Sequence, residues 1–170
     1  MELNPDLLAP QVHEDSSLFD RSGLLKTISA QFRIMRHGVH GPNHWARVRR
    51  HGLTIGKVVG ADLLVVELFA FLHDSQRENE WEDPGHGQRA AEYAVSLNRN
   101  FFDLDCEQMD LLRAAMRGHS DGKIDPHPTI QSCWDADRLD LGRVGTKPAA
   151  KYLSHEGGKH IEAAYAWSLK

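Results

Sequence analysis

The side chains in this sequence that could do chemistry are imidazoles and carboxylates at the ends of apolar helical segments. The segment FAFLHDSQREN is apolar until it reaches the adjacent pair His73 and Asp74. A neutral imidazole beside a carboxylate is costly to bury in an apolar core unless a partner bonds to both groups. A divalent metal ion can bind both groups, so this pair predicts a metal site.

Polar residues also occupy core positions on four further predicted helices. His44 shares a helical stripe with Val48 and Ile55. The other three helices place one such residue each, and these are His86, His119 and Asp137. Burying unpaired imidazoles and carboxylates costs on the order of kilocalories each, and one shared cation compensates all of them. Iron, manganese, nickel, cobalt and zinc suit these ligands, with magnesium as a further candidate, and the absence of inward cysteines disfavours a structural zinc cage.

The adjacency of His73 and Asp74 constrains where the site can lie. Successive helix residues project about 100° apart, so both side chains reach one centre only near the end of their helix. Asp74 has two oxygens and is the natural bridge if two ions bind. Asp137 continues the apolar stripe of its helix, whereas Asp135 lies about 200° around that helix. We therefore expect Asp137 at the centre and Asp140 at its rim.

The composition limits the class of protein. A chain of 170 residues with 41% apolar content supports one globular domain. The formal charge of -4 disfavours extended nucleic-acid binding. No apolar run approaches the roughly 18 residues of a membrane span, and the start MELNPDLLAP lacks the basic and apolar regions of a signal peptide. We expect a soluble cytoplasmic protein without membrane contact, and free thiols at Cys106 and Cys133.

Hydrophobic periodicity predicts an all-α domain over residues 17–170, preceded by a flexible N-terminal segment at 1–16. Asn43 and Asp62 are candidate helix N-caps, and Asp105 with Gln108 resembles a capping box. The sequence shows neither strand-like alternation of useful length nor an internal repeat. The predicted helices cover residues 18–35, 44–59, 63–74, 86–98, 105–119, 129–141 and 160–170.

The order His44, His73-Asp74 and Asp137 resembles the H…HD…D pattern of the HD-domain superfamily of metal-dependent phosphohydrolases. GPNHWARVRRHGL is similar to the first histidine helix of that superfamily, FAFLHD to its HD helix, and CWDADRLDLGRVG to the segment that supplies its last aspartate. The resemblance spans residues 40–145. It implies an all-α, single-domain HD-type bundle of about six to eight helices.

Superfamily members with two metal ions place two further histidines between the HD pair and the final aspartate. His86 and His119 match those positions. The resemblance therefore implies two ions that share Asp74: the first bound by His44, His73, Asp74 and Asp137, and the second by Asp74, His86 and His119. The sequence lacks the Gly-Tyr-Pro motif of the cyclic-di-GMP branch, which disfavours that substrate.

The implied reaction is hydrolysis of a phosphate ester, with a small-molecule ester or a nucleotide as substrate. Metal ions lower the pKa of a bound water towards 7, and the resulting hydroxide attacks phosphorus in line. Cationic side chains would hold the non-bridging oxygens, and Arg77, Lys123 and Arg138 are nearest to the ligands in sequence. Arg138 could instead form a structural salt bridge with Asp135 or with a loop carboxylate. Glu78 is a candidate acid or base for the leaving group, or a solvated loop residue.

Two other functions fit the same residues. Some HD-like proteins are di-iron oxygenases, and the same ligands could serve that chemistry. A non-catalytic nucleotide-binding or regulatory module would bind its ligand tightly without turnover. The sequence leaves open the substrate, the number and identity of the metal ions, and the oligomeric state. The oligomeric state depends in part on whether Trp81 and Trp167 pack against a partner or within the monomer.

Overall fold

The computed structural model describes residues 19–168, and this part of the chain is almost entirely helical. Extended pairing among these residues is limited to two isolated bridges, which join Phe102 to Phe19 and to Asn98. The predicted all-α class is therefore confirmed. The helices are α1 (Arg21–Gln31), α2 (Pro42–Val59), α3 (Leu63–Leu72), α4 (His86–Leu97), α5 (Cys106–Gly118), α6 (Pro128–Leu139), α7 (His155–Gly158) and α8 (Ile161–Ser168), with 3₁₀ helices at Asp140–Val144 and Ala150–Tyr152.

The predicted flexible segment at 1–16 lies outside the described residues. Within residues 19–168, none of the helices combines the length and the apolar character that a bilayer span needs.

Capping residues set where several helices begin. The side chain of Asp62 accepts hydrogen bonds from two backbone N–H groups and starts α3, as predicted. Asp105 and Gln108 form the predicted capping box of α5. The prediction that Asn43 caps α2 is wrong, because the helix already contains Pro42 in its first turn. Proline fits there, since the first helical N–H groups have no partner within the helix.

Helices α3 and α6 end earlier than their hydrophobic patterns predict. The last helical residue of α3 is Leu72, so His73 caps the helix and Asp74 lies in the following turn. The last residue of α6 is Leu139, and a 3₁₀ helix begins at Asp140. Both changes of backbone geometry occur where a carboxylate turns towards buried polar partners.

The core is built around α3, which packs against α2, α5 and α6. Its residues 65–72 are all buried, including the charged Glu67. The Glu67 carboxylate accepts hydrogen bonds from Arg21 Nε at 2.8 Å and Arg49 Nε at 2.6 Å. These ion pairs compensate the buried charge and tie α1 and α2 to the central helix.

Two glycines allow the close helix contacts that bring the histidines together. A Cβ at Gly52 of α2 would lie 2.7 Å from the Val66 side chain on α3. A Cβ at Gly87 of α4 would lie 2.3 Å from the backbone oxygen of Met116 on α5. The second contact is the less adjustable, because the neighbouring atom belongs to the backbone.

We predict that Gly87→Ala destabilises the protein by about 1–3 kcal/mol, because α4 and α5 must separate to admit the methyl group. Urea unfolding of wild type and variant measures this difference. Gly158→Ala is the matched control: it also lies in a helix, but its Cβ would meet no atom within 4 Å. Equal stabilities of the two variants would contradict the packing argument.

Candidate metal centre

Six side chains converge where the helices α2 to α6 begin or end. The two residues after α3 lie at the middle, the others come from the first turns of α2 and α4, the end of α5 and the last turn of α6, and all except the last are buried. In chain order these residues are His44, His73, Asp74, His86, His119 and Asp137. The structure therefore brings together every residue of the predicted ligand set.

The first group of donor atoms surrounds Oδ2 of Asp74. This oxygen lies 3.5 Å from His44 Nε2 and 3.4 Å from His73 Nε2. The two Nε2 atoms are 3.1 Å apart. Asp137 Oδ1 completes the group, at 3.3 Å from His44 Nε2 and 3.8 Å from His73 Nε2.

The second group surrounds the other oxygen of the same carboxylate. Asp74 Oδ1 lies 3.4 Å from His86 Nε2 and 3.9 Å from His119 Nε2. These two Nε2 atoms are 2.8 Å apart. Asp74 thus presents one oxygen to each pair of imidazoles, which is the arrangement that a bridging carboxylate requires.

Backbone carbonyls determine the tautomers of three of these histidines. Nδ1 of His73 bonds at 3.1 Å to the carbonyl oxygen four residues earlier, and Nδ1 of His119 at 2.6 Å to the one three residues earlier. His86 makes the same kind of bond to a carbonyl three residues earlier. A carbonyl oxygen only accepts, so each Nδ1 carries the hydrogen and each neutral ring has its lone pair at Nε2.

The facing lone pairs of His86 and His119 fit a cation. Two acceptor nitrogens 2.8 Å apart repel each other unless a positive charge lies beside them. Burial lowers the pKa of His86 and that of His119, the latter to about 4, so a proton does not supply this charge at neutral pH. Neighbouring ligands about 2.1 Å from one ion lie roughly 3 Å apart, which matches these separations.

Asp140 lies behind His44, and its predicted position at the rim is wrong. It is buried because its carboxylate bonds to His44 Nδ1 at 2.6 Å and to Arg47 Nε at 2.6 Å. Burial and the charge of Arg143 lower the pKa of His44, but hydrogen bonds to Asp137, Asp140 and Asp74 outweigh them and raise it to about 9. A carboxylate behind a histidine ligand orients the ring and increases its basicity.

A cavity of about 360 Å³ opens over the centre, and three arginines of the described chain line it. Arg77 Nε donates to Asp74 Oδ1 at 2.9 Å, and Arg143 Nε donates to a backbone carbonyl at 2.7 Å. Arg138 Nη1 donates to the backbone oxygen of Tyr152 at 2.6 Å. Its Nη2 is buried and has no hydrogen-bond partner within residues 19–168.

The structure does not bring Glu78 and Lys123 to this cluster. Among the described residues, both lie outside the cavity lining and form exposed ion pairs. Glu78 Oε1 lies 2.8 Å from Arg33 Nη1, and Lys123 Nζ lies 3.1 Å from Asp121 Oδ2. Their loops turn these side chains to the surface, where a charge remains solvated.

The cavity-lining residues that sequence reasoning missed include His40, Arg143 and Tyr152. His40 Nδ1 bonds to Glu80 Oε2 at 2.7 Å. All three lie in turns or 3₁₀ segments, where hydrophobic periodicity gives no direction for a side chain.

One solved structure shares this arrangement of helices. The crystal structure of a predicted HD superfamily hydrolase from an uncultured Thermotogales bacterium matches with a TM-score of 0.66, at 24% sequence identity over 87% of this chain and 86% of that chain. The chain has the HD-domain fold. The predicted HD-type helical bundle is thus confirmed, whereas neither a family model nor a curated protein sequence matches the chain.

We predict that Asp74→Asn removes more bound metal from this protein than any other single substitution in the centre. The reason is that the Asp74 carboxylate belongs to both groups of donor atoms, whereas Asp137→Asn and His119→Gln each remove a donor from only one group. Elemental analysis of protein dialysed against a divalent cation measures the content. His51→Gln replaces a histidine outside the centre and should leave it unchanged. Wild-type content in Asp74→Asn would rule out the bridging arrangement.

We predict that the metal-free protein loses about 1 kcal/mol of stability between pH 7.5 and 8.5. The folded pKa of His44, about 9, exceeds its unfolded value of 6.5, so its contribution is complete below pH 6.5 and is lost as pH rises towards 9. A bound cation needs the unprotonated ring, so the loss should disappear in saturating Mn²⁺. Urea unfolding with and without chelator measures both slopes.

The same unfolding experiment on His51→Gln provides the control. Burial lowers the pKa of His51 to about 4, so its contribution changes as pH falls through the unfolded value of 6.5 and is nearly constant above pH 7.5. The variant should therefore show the same decrease as the wild type between pH 7.5 and 8.5. Equal slopes with and without Mn²⁺ would contradict the assignment of His44 as a ligand.

Proposed function

We propose that this protein is a metal-dependent phosphohydrolase that cleaves a phosphate ester of a nucleotide. One observation carries the proposal. Two pairs of imidazoles share the carboxylate of Asp74, and three arginines line the cavity above this cluster. The solved protein that shares the fold is named a predicted HD superfamily hydrolase, which supports hydrolysis as the reaction class. An anionic substrate explains why guanidinium groups line a cavity over a cation site.

The donor set limits which ion the centre would hold. Imidazole nitrogens and carboxylate oxygens suit iron, manganese, nickel, cobalt or zinc, and magnesium less well because of its preference for oxygen ligands. A divalent cation held there would place positive charge beside the phosphoryl group and acidify water for attack on phosphorus. In the proposal, His44, His73, Asp74 and Asp137 hold one ion, and Asp74, His86 and His119 hold the second.

The three arginines would bind the non-bridging phosphate oxygens. Arg138 is the strongest candidate, because its Nη1 is fixed by a backbone carbonyl while its buried Nη2 remains available to donate. Arg77 and Arg143 are held by Asp74 and by a backbone carbonyl, respectively. Donors fixed before the substrate arrives do not have to reorganise as negative charge develops on the oxygens.

The deciding experiment is a screen of nucleotides for phosphate release by protein loaded with manganese, iron, cobalt or nickel. We expect turnover of at least one nucleotide, and a loss on the order of 100-fold or more in His73→Ala and Asp74→Ala. His51→Gln should retain wild-type turnover. Retention of both metal content and activity in the first two variants would show that the chemistry occurs elsewhere.

Repeating the assay under argon separates hydrolysis from di-iron oxygenation. Hydrolysis of a phosphate ester consumes water and persists without dioxygen, whereas oxygenation stops. Tight nucleotide binding without turnover under every metal supplement would instead identify a regulatory module and would contradict the proposal.

A further inference from the structure

The cavity over the metal centre has both charged and apolar lining residues. Leu141, Val144 and Tyr152 line it together with the carboxylates of Asp74 and Asp137 and the three arginines; the other lining residues are His40, His119, Ser120 and Gly122. The side chains of Val144 and Tyr152 are 48% and 38% exposed, which places them where the cavity meets solvent. Exposed apolar groups beside a charged site indicate that the ligand has an apolar part as well as an anionic one.

Helix α6 holds the segment that carries Tyr152. The buried carboxylate of Asp135 accepts hydrogen bonds from the backbone N–H of Ser154 at 3.0 Å and from its hydroxyl group. Arg138 donates to the backbone oxygen of Tyr152 at 2.6 Å. These residues flank Asp137, so one helix positions both a metal donor and the wall of the cavity. A wall fixed in this way costs little ordering when the ligand binds.

We propose that Tyr152 determines substrate specificity by stacking on the nucleobase of a mononucleotide whose phosphate lies against the arginines. This inference rests on the proposed phosphohydrolase function and names the binding surface for the other end of the substrate. The Nζ atom of Lys151 lies 4.7 Å from the centre of the Tyr152 ring and covers one face. The other face is the platform, with Leu141 and Val144 beside it.

The dimensions and charge favour a mononucleotide over a polynucleotide. A cavity of about 360 Å³ is within the range of roughly 300–1,000 Å³ that small-molecule sites occupy. The net charge of -4 disfavours binding along a phosphate backbone. Stacking tolerates every base, because each has a π-face, so we expect a preference for a base and only a weak preference among bases.

The test uses Tyr152→Phe, Tyr152→Leu and Tyr152→Ala with two ligands, adenosine 5′-monophosphate and ribose 5-phosphate, which differ by the base. KM and kcat are measured on metal-loaded protein, and Kd is measured by calorimetry. We expect Tyr152→Ala to raise KM and Kd for the nucleotide about tenfold and to leave those for the sugar phosphate within about twofold. Tyr152→Phe should match wild type, and Tyr152→Leu should lie between the two.

The hydrogen bond from Arg138 goes to the backbone oxygen of residue 152 and does not need the tyrosine side chain. An unchanged response to ribose 5-phosphate in the same variant would show that the fold and the phosphate site are intact. Trp81→Ala is the matched control, since this exposed aromatic lies outside the cavity lining and should alter neither ligand. The inference is wrong if Tyr152→Phe behaves like Tyr152→Ala, or if Tyr152→Ala changes both ligands equally or neither.

The binding measurements show whether the stacking inference or the proposed phosphohydrolase function has failed. If no ester is hydrolysed, the phosphohydrolase proposal fails, but tighter binding of the nucleotide than of the sugar phosphate, lost in Tyr152→Ala, would still support the platform. If wild type hydrolyses both esters and binds them equally well, phosphohydrolase activity stands and the platform is wrong.

Discussion

The buried carboxylate of Asp74 is the group on which the rest of the structure depends. Burial by itself would raise the pKa of Asp74, but the neighbouring His73 and His44 hold it well below its ordinary range, so the group stays anionic. An anion without solvent requires several polar neighbours, and a single helix cannot supply them. The five helices α2 to α6 therefore each direct one end at this carboxylate, and their packing keeps those ends together.

The way these helices end also determines the chemistry of the histidines. The last carbonyl groups of a helix have no partner within it. At the end of α5, the imidazole of His119 donates its Nδ1 hydrogen back to such a carbonyl; at the end of α3, the carbonyl that accepts from Nδ1 of His73 also accepts the backbone N–H of the same residue. In both cases the hydrogen bond to the helix terminus leaves the lone pair at Nε2, where a metal ion can bind. The same imidazole therefore stabilises the end of the helix and presents a nitrogen to the metal site.

Side chains of helix α6 point towards three different parts of the structure, because consecutive helix residues project about 100° apart. Asp137 turns towards the centre, Asp135 turns away from it to hold Ser154, and Arg138 lines the cavity while bonding to the backbone of Tyr152. A small rotation of this helix would change the metal site and the cavity wall together. The burial of Asp135 and the ion pairs of Asp140 oppose such a rotation.

The sequence by itself determined the helices and the inward side chains, because a period of 3.6 residues relates each position to a helix face. That relation predicted the convergence of His44, His73, His86, His119 and Asp137, and the adjacency of Asp74 to His73 added the sixth residue. The relation fails in loops and 3₁₀ turns, which have no such period. There only the tertiary structure decided that Glu78 and Lys123 form surface ion pairs, that Asp140 lies behind His44, and that His40, Arg143 and Tyr152 line the cavity. The physical reason is that these positions depend on contacts between distant segments, which local sequence patterns do not encode.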